Sequence, residues 1–115
     1  MNQLPSDLTG NGPATVILPS RQTLPVVFAS PHSGRHYPQE LIEIARIDSF
    51  ALRASEDAFV DQLFASAPKL GAPLLCATFP RAFVDVNRGA LELDPRMFDG
   101  PLPSDADIHS MRALS

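Results

Sequence analysis

One cysteine, Cys76, stands in the 115 residues, which excludes an intrachain disulfide. It lies in an apolar run, where a small buried residue is the plainer reading than a catalytic thiol. Long hydrophobic stretches are also missing, since none approaches the ~18 residues of a membrane span. Met1 to Asn11 has neither the basic start nor the apolar core of a signal peptide, so a reduced, cytoplasmic setting is expected. Positive charge is not in excess either. The formal net charge of −4 gives no reason to expect nucleic acid or an acidic membrane surface as partner. There is no internal repeat and no low-complexity segment. Ser33 has no strained Gly-x-Ser-x-Gly turn around it, so it does not read as a nucleophile.

What the chain does have is proline. Its twelve prolines are about twice the usual share, and they punctuate loops. A 44% hydrophobic content is ordinary for a globular protein, and the length suits one domain or a piece of one. Val26-Val27-Phe28-Ala29 predicts a buried strand, which Pro31 and Gly34 stop. His32 then falls in the loop at the strand's carboxyl end, the edge where open α/β sheets bind ligands. Ala14–Leu18 predicts an edge strand, and Gln39–Ala45 a short helix. Ser55–Ala67 predicts the clearest helix: Ser55 as N-cap, acids in the first turn, and an apolar stripe through Phe59, Val60, Leu63, Phe64 and Ala67. Pro73–Thr78 and Ala82–Val86 predict two more strands, and Ala106–Leu114 a weak helix. The alternation of strand and helix implies an α/β layer arrangement. The last residues look like a helix begun and not finished, so the expectation is the front portion of a larger domain.

The candidate functional side chains fall at element ends: His32, Glu56 and Asp57, Arg81, Asn87 and Arg88. Imidazole and carboxylate are both common zinc ligands, so His32 with Asp57 suits a metal. The plainer reading is a hydrogen-bonded loop histidine and a first-turn acid that offsets the helix dipole. A third ligand is His36, His109 or absent. Arg81 and Arg88, with Asn87, suit a carboxylate, which the guanidinium fork matches. Alternatively, Arg88 pairs with Asp85, Glu92 or Asp94 at the surface, for little gain. Asp61 either faces solvent or supports a ligand from behind.

Four blocks, Ser30-Pro31-His32-Ser33-Gly34, Ser55-Glu56-Asp57-Ala58-Phe59-Val60-Asp61, Pro80 through Arg88, and Glu92-Leu93-Asp94-Pro95-Arg96-Met97-Phe98, resemble the N-formylglutamate amidohydrolase family in order and composition. The resemblance spans roughly Val26 to Phe98 and covers the amino-terminal part of the family domain, with residues 1–115 read as one such domain piece. It implies an α/β fold, a mixed sheet flanked by helices, similar to zinc carboxypeptidases. It implies hydrolysis of N-formyl-L-glutamate to formate and L-glutamate, a late step of histidine degradation, with zinc as cofactor and a small N-acyl acidic amino acid as substrate. His32 matches a metal ligand. The acidic ligand falls at Asp57, with Glu56 as the alternative. Arg81, Asn87 and Arg88 match the substrate-binding block. The remaining histidine ligand and the general-base carboxylate are expected beyond Ser115. The competing reading is a relative without the chemistry that binds acidic acyl-amino acids through Arg81 and Arg88.

Overall fold

A computed structural model describes residues 12–109. The chain divides into two units, Met1–Asp85 and Val86–Ser115. In the first, strand β1 (Ala14–Ile17) precedes strand β2 (Phe28–Ser30), and helices α1 (Gln39–Ile44), α2 (Ser49–Leu52) and α3 (Val60–Leu63) lead to strand β3 (Leu74–Ala77). The strands form an open sheet in the order β1-β3-β2. β1 pairs antiparallel with β3, Thr15 opposite Cys76, and β2 pairs parallel with β3, Ala29 opposite Leu75. A parallel pair needs a long crossover, and the helices supply it. This is a small α/β unit with a mixed sheet.

The core is compact and small. Leu74 and Ala72 are buried at the start of β3, with Ala67, Leu41 and Leu52 from the helical segments and Pro80 from the loop beyond the sheet. Phe28 and Phe64 tilt against each other with ring centroids 5.6 Å apart, tying β2 to the segment after α3. Many large apolar side chains stay exposed, Phe50, Leu63 and Ile44 among them. No helix among the described residues is long and apolar enough to cross a membrane.

Several expected elements are shorter or absent among the described residues. The β2 strand begins at Phe28; Val26 and Val27 precede it as exposed, irregular backbone. The long helix expected over Ser55–Ala67 reduces to the single turn of α3, because Ser55 closes a 3-10 turn (Arg53–Ser55) and Glu56 is extended, with φ −66° and ψ 140°. The Asp57 N–H donates to the carbonyl of His32 at 3.0 Å, and Phe59 follows in the left-handed region at φ 65°. A tertiary hydrogen bond has overridden helix propensity there. The strand expected over Ala82–Val86 is instead a turn, in which the Phe83 N–H donates to the Pro80 carbonyl at 3.0 Å. Residues 106–109 are not helical, and the rest of the expected terminal helix lies outside the described residues.

The second unit is loop-like. The Gly89 N–H donates to Glu92 Oε2 at 2.7 Å, and Glu92 and Asp107 form an isolated parallel bridge. Asp94 caps a 3-10 turn (Pro95–Met97), accepting from the Arg96 N–H at 2.9 Å. The Arg96 guanidinium lies 2.6 Å from Asp94, and these hydrogen bonds hold the Asp94 carboxyl below its ordinary range.

Candidate functional site

Three buried polar residues, Ser30, His32 and Ser33, lie where β2 passes into the loop Pro31–Gly34. The Ser30 and Ser33 hydroxyls share a 2.6 Å hydrogen bond that closes the turn around His32. Gly34 is needed for a steric reason. A Cβ there would sit 2.0 Å from the Phe79 carbonyl oxygen and 2.6 Å from two backbone carbons, so this loop packs directly on the backbone that follows β3. The His36 N–H donates to the Thr78 carbonyl at 2.9 Å and fastens the two loops again. One loop carries His32 and the other carries Arg81 and Asp85, so this packing decides which side chains meet.

His32 is flanked by a carboxylate at each ring nitrogen. Its Nε2 lies 2.7 Å from Asp85 Oδ1 and its Nδ1 lies 3.5 Å from Asp57 Oδ2. An ionised carboxylate only accepts, so the short bond is Nε2–H donating to Asp85. In the neutral ring that leaves Nδ1 as a lone pair facing a second acceptor across 3.5 Å. Two acceptors at that separation call for a positive centre between them, a proton or a metal cation. Zinc bonds of about 2.0–2.2 Å at the tetrahedral angle place two donors roughly 3.3–3.6 Å apart, a span that includes the separation seen. A carboxylate on the far nitrogen is also the usual support for a metal-bound histidine. The donor pair therefore fits a metal. No group of three or more such ligands occurs among the described residues.

Arg81 completes the cluster. Its Nη2 donates to Asp85 Oδ2 at 3.0 Å, and its Nη1 lies 3.8 Å from Asp57 Oδ1. One guanidinium thus spans both carboxylates that flank the imidazole. Asp57 is about half exposed, whereas the His32 ring is 9% and Asp85 18% exposed, so the open side of the cluster is the Asp57 side.

Glu56 points elsewhere. Its Oε1 accepts from the Tyr37 hydroxyl at 2.5 Å and from Arg53 Nε at 3.2 Å, and its side chain is 4% exposed. Burial and the Glu56 carboxylate push the Tyr37 phenol up to about 12. Asp61 pairs with Arg35 at 3.3 Å and lines a cavity of about 280 Å³ with Cys76 and Ser33. Its Oδ1 is buried without a partner among the described residues, and burial pushes the Cys76 thiol up. A larger hollow of about 440 Å³ lies between Pro38, Phe79 and Phe83, with His36 on its wall.

Of the residues singled out from sequence, His32, Asp57 and Arg81 come together. Asn87 and Arg88 lie in the second unit, each already engaged with a neighbouring group. Asp85 is a member of the cluster that spacing did not single out as a site residue. A signal was present: a carboxylate inside the apolar run Phe83-Val84-Asp85-Val86 demands a partner. An arginine four residues earlier, Arg81, is one such partner.

Comparisons with known proteins carry the reading further. The sequence profile of the N-formylglutamate amidohydrolase family matches residues 24–114. A solved structure of N-formylglutamate amidohydrolase from Ralstonia eutropha JMP134 is 42% identical and superposes with a TM-score of 0.69, covering 80% of this chain and 33% of that one. The chain therefore spans about a third of the length of that relative. No curated protein matches it.

Proposed function

The chain belongs to the N-formylglutamate amidohydrolase family, and from that premise we propose that it forms the metal-binding front of a domain that hydrolyses the formyl amide of N-formyl-L-glutamate. Family membership implies a hydrolase acting on a small-molecule amide. The observation that carries the finer reading is the His32 ring, clamped at Nε2 by Asp85 and turned with Nδ1 toward Asp57.

In this reading His32 Nδ1 and Asp57 Oδ2 are two protein ligands of a zinc ion. Asp85 fixes the ring's tautomer and orientation, which keeps the Nδ1 lone pair directed at the site. Zinc bound there supplies Lewis acidity toward a carbonyl oxygen and lowers the pKa of a bound water toward ~7. Arg81 holds Asp85 through Nη2 and sets positive charge 3.8 Å from Asp57, and its remaining donors suit a carboxylate. Arg88 and Asn87, in the second unit, are proposed as binders of carboxylates of an N-acyl acidic amino acid. A substrate carboxylate held by Arg81 would set the formamide against the open Asp57 side and make attack on it effectively unimolecular. The remaining ligand and the general base are assigned to the part of the family domain outside the third matched here. The whole domain is proposed to share the layered sheet of zinc carboxypeptidases and to act in the cytoplasm, in histidine degradation.

One observation favours a second reading, a binder of acidic acyl-amino acids without chemistry: the described residues hold only two candidate ligands around His32 Nδ1. Metal analysis of the purified chain separates the two. Stoichiometric zinc that is lost in His32→Ala is expected for the hydrolase. Binding of N-formyl-L-glutamate by a zinc-free chain, with zinc added back to no effect, refutes it in favour of the binder.

A further inference from the structure

We infer that Glu56 is not a ligand but a positioning residue, held by Tyr37 and Arg53, that sets Asp57 at His32; the inference rests on the metal reading above. The dipeptide Glu56-Asp57 offers two adjacent carboxylates, and the structure separates their duties. The Glu56 carboxylate is almost fully buried, and its Oε1 is taken by the Tyr37 hydroxyl and Arg53 Nε. Arg53 in turn lies over the Tyr37 ring, 5.8 Å from its centroid, so the two donors brace each other. The Asp57 carboxylate is about half exposed and faces the imidazole.

Asp57 gains little fixity from its own side chain, whose nearest nitrogen neighbours, His32 Nδ1 and Arg81 Nη1, lie 3.5 Å and 3.8 Å away. Its backbone is fixed instead, from both sides, by one loop. The His32 carbonyl accepts from the Asp57 N–H at 3.0 Å, and Tyr37, five residues along, donates to Glu56. The loop that presents the imidazole therefore also grips the dipeptide that presents the acid. The Glu56 backbone, with φ −66° and ψ 140°, is close to polyproline II, in which successive side chains are about 120° apart, so its side chain and that of Asp57 leave the backbone in different directions. Anchoring one aims the other.

The test uses the full chain, zinc titration by calorimetry, and the visible spectrum of the cobalt-substituted protein. Tyr37→Phe removes one donor and should weaken zinc binding by ~10–100-fold, the usual loss for a group that orients a ligand. It should also alter the cobalt bands. Glu56→Ala should do the same, whereas Glu56→Gln, which keeps Oε1 as an acceptor for both donors, should restore binding to within a few-fold of the parent. Arg53→Met removes the second donor and gives the same comparison should Tyr37→Phe fail to fold, as judged by circular dichroism. Equal zinc affinity in the parent, Tyr37→Phe and Arg53→Met overturns the inference alone. Loss in Glu56→Gln as deep as in Glu56→Ala, with Tyr37→Phe unaffected, makes Glu56 a ligand and also overturns it. A parent chain that binds no metal overturns the hydrolase reading, and this inference with it.

Discussion

Replacing Asp85 by asparagine isolates the group behind the imidazole. In the native site one carboxylate oxygen accepts from His32 Nε2 at 2.7 Å and the other from Arg81 Nη2 at 3.0 Å. The amide introduced by Asp85→Asn would keep a single acceptor. Whichever partner that oxygen serves, the amide N–H2 faces another donor. One hydrogen bond to a charged group, ~1.5–3 kcal/mol, is lost, and the surviving bond loses its charge assistance. Asp85 is only 18% exposed, so solvent compensates little. A net stability loss of about 2 kcal/mol is expected, which for a domain of this size lowers Tm by roughly 8–16 °C. Zinc affinity should fall by ~10–100-fold, because a misdirected or retautomerised ring no longer points Nδ1 at Asp57. That fall corresponds to about 1.4–2.8 kcal/mol of binding free energy. Urea titration reads the first quantity, competition with a chromophoric chelator the second, and histidine side-chain nitrogen NMR reports which ring nitrogen carries the proton. Unchanged zinc affinity in a folded Asp85→Asn, with the proton still on Nε2, would refute the argument that Asp85 directs the ring.

Gly34→Ala should destabilise the first unit by about 3 kcal/mol, because the new methyl meets backbone and not movable side chains; a Tm within ~2 °C of the parent would contradict the contact. Tyr37 is the only tyrosine and there is no tryptophan, so alkaline absorbance titration reads this one phenol. Its folded-state pKa of about 12 lies above the unfolded ~10. The stabilisation tied to the protonated phenol is therefore fully present below pH ~10 and is lost as pH rises toward 12. Urea midpoints should fall across that window more steeply in the parent than in Tyr37→Phe, and a phenol titrating near its ordinary value would refute the Glu56 contact. Arg88→Lys should weaken binding of N-formyl-L-glutamate, since a point charge cannot replace the fork, and equal affinity by calorimetry would remove Arg88 from the proposed clamp.

The sequence made some of this plain and hid the rest for identifiable reasons. A β-rich run stopped by Pro31 and Gly34 was enough to put His32 in a loop at a strand's end, and β1, α1 and β3 lie close to where patterning placed them. The helix over Ser55–Ala67 was not legible as a single turn, because what shortens it is a bond from Asp57 to a carbonyl 25 residues earlier in the chain. Local propensity contains no information about that partner. The same bond brings Asp57, and not Glu56, beside His32, although sequence alone could rank the two acids only by their place in a motif. Asp85 was obscured by the alternation around it, which imitates a strand although its side chain is turned back to His32 and Arg81. The Tyr37–Glu56 contact joins residues 19 apart with no spacing rule to announce it.

At Gly34 the two loops touch main chain to main chain, with no side chain interposed. Elsewhere in a protein, the gap between neighbouring segments can be widened or narrowed by exchanging a valine for an alanine. Here there is nothing to exchange. Variation can change which groups are displayed on either loop, but the span separating the histidine from the aspartate behind it is set by the thickness of two peptide backbones.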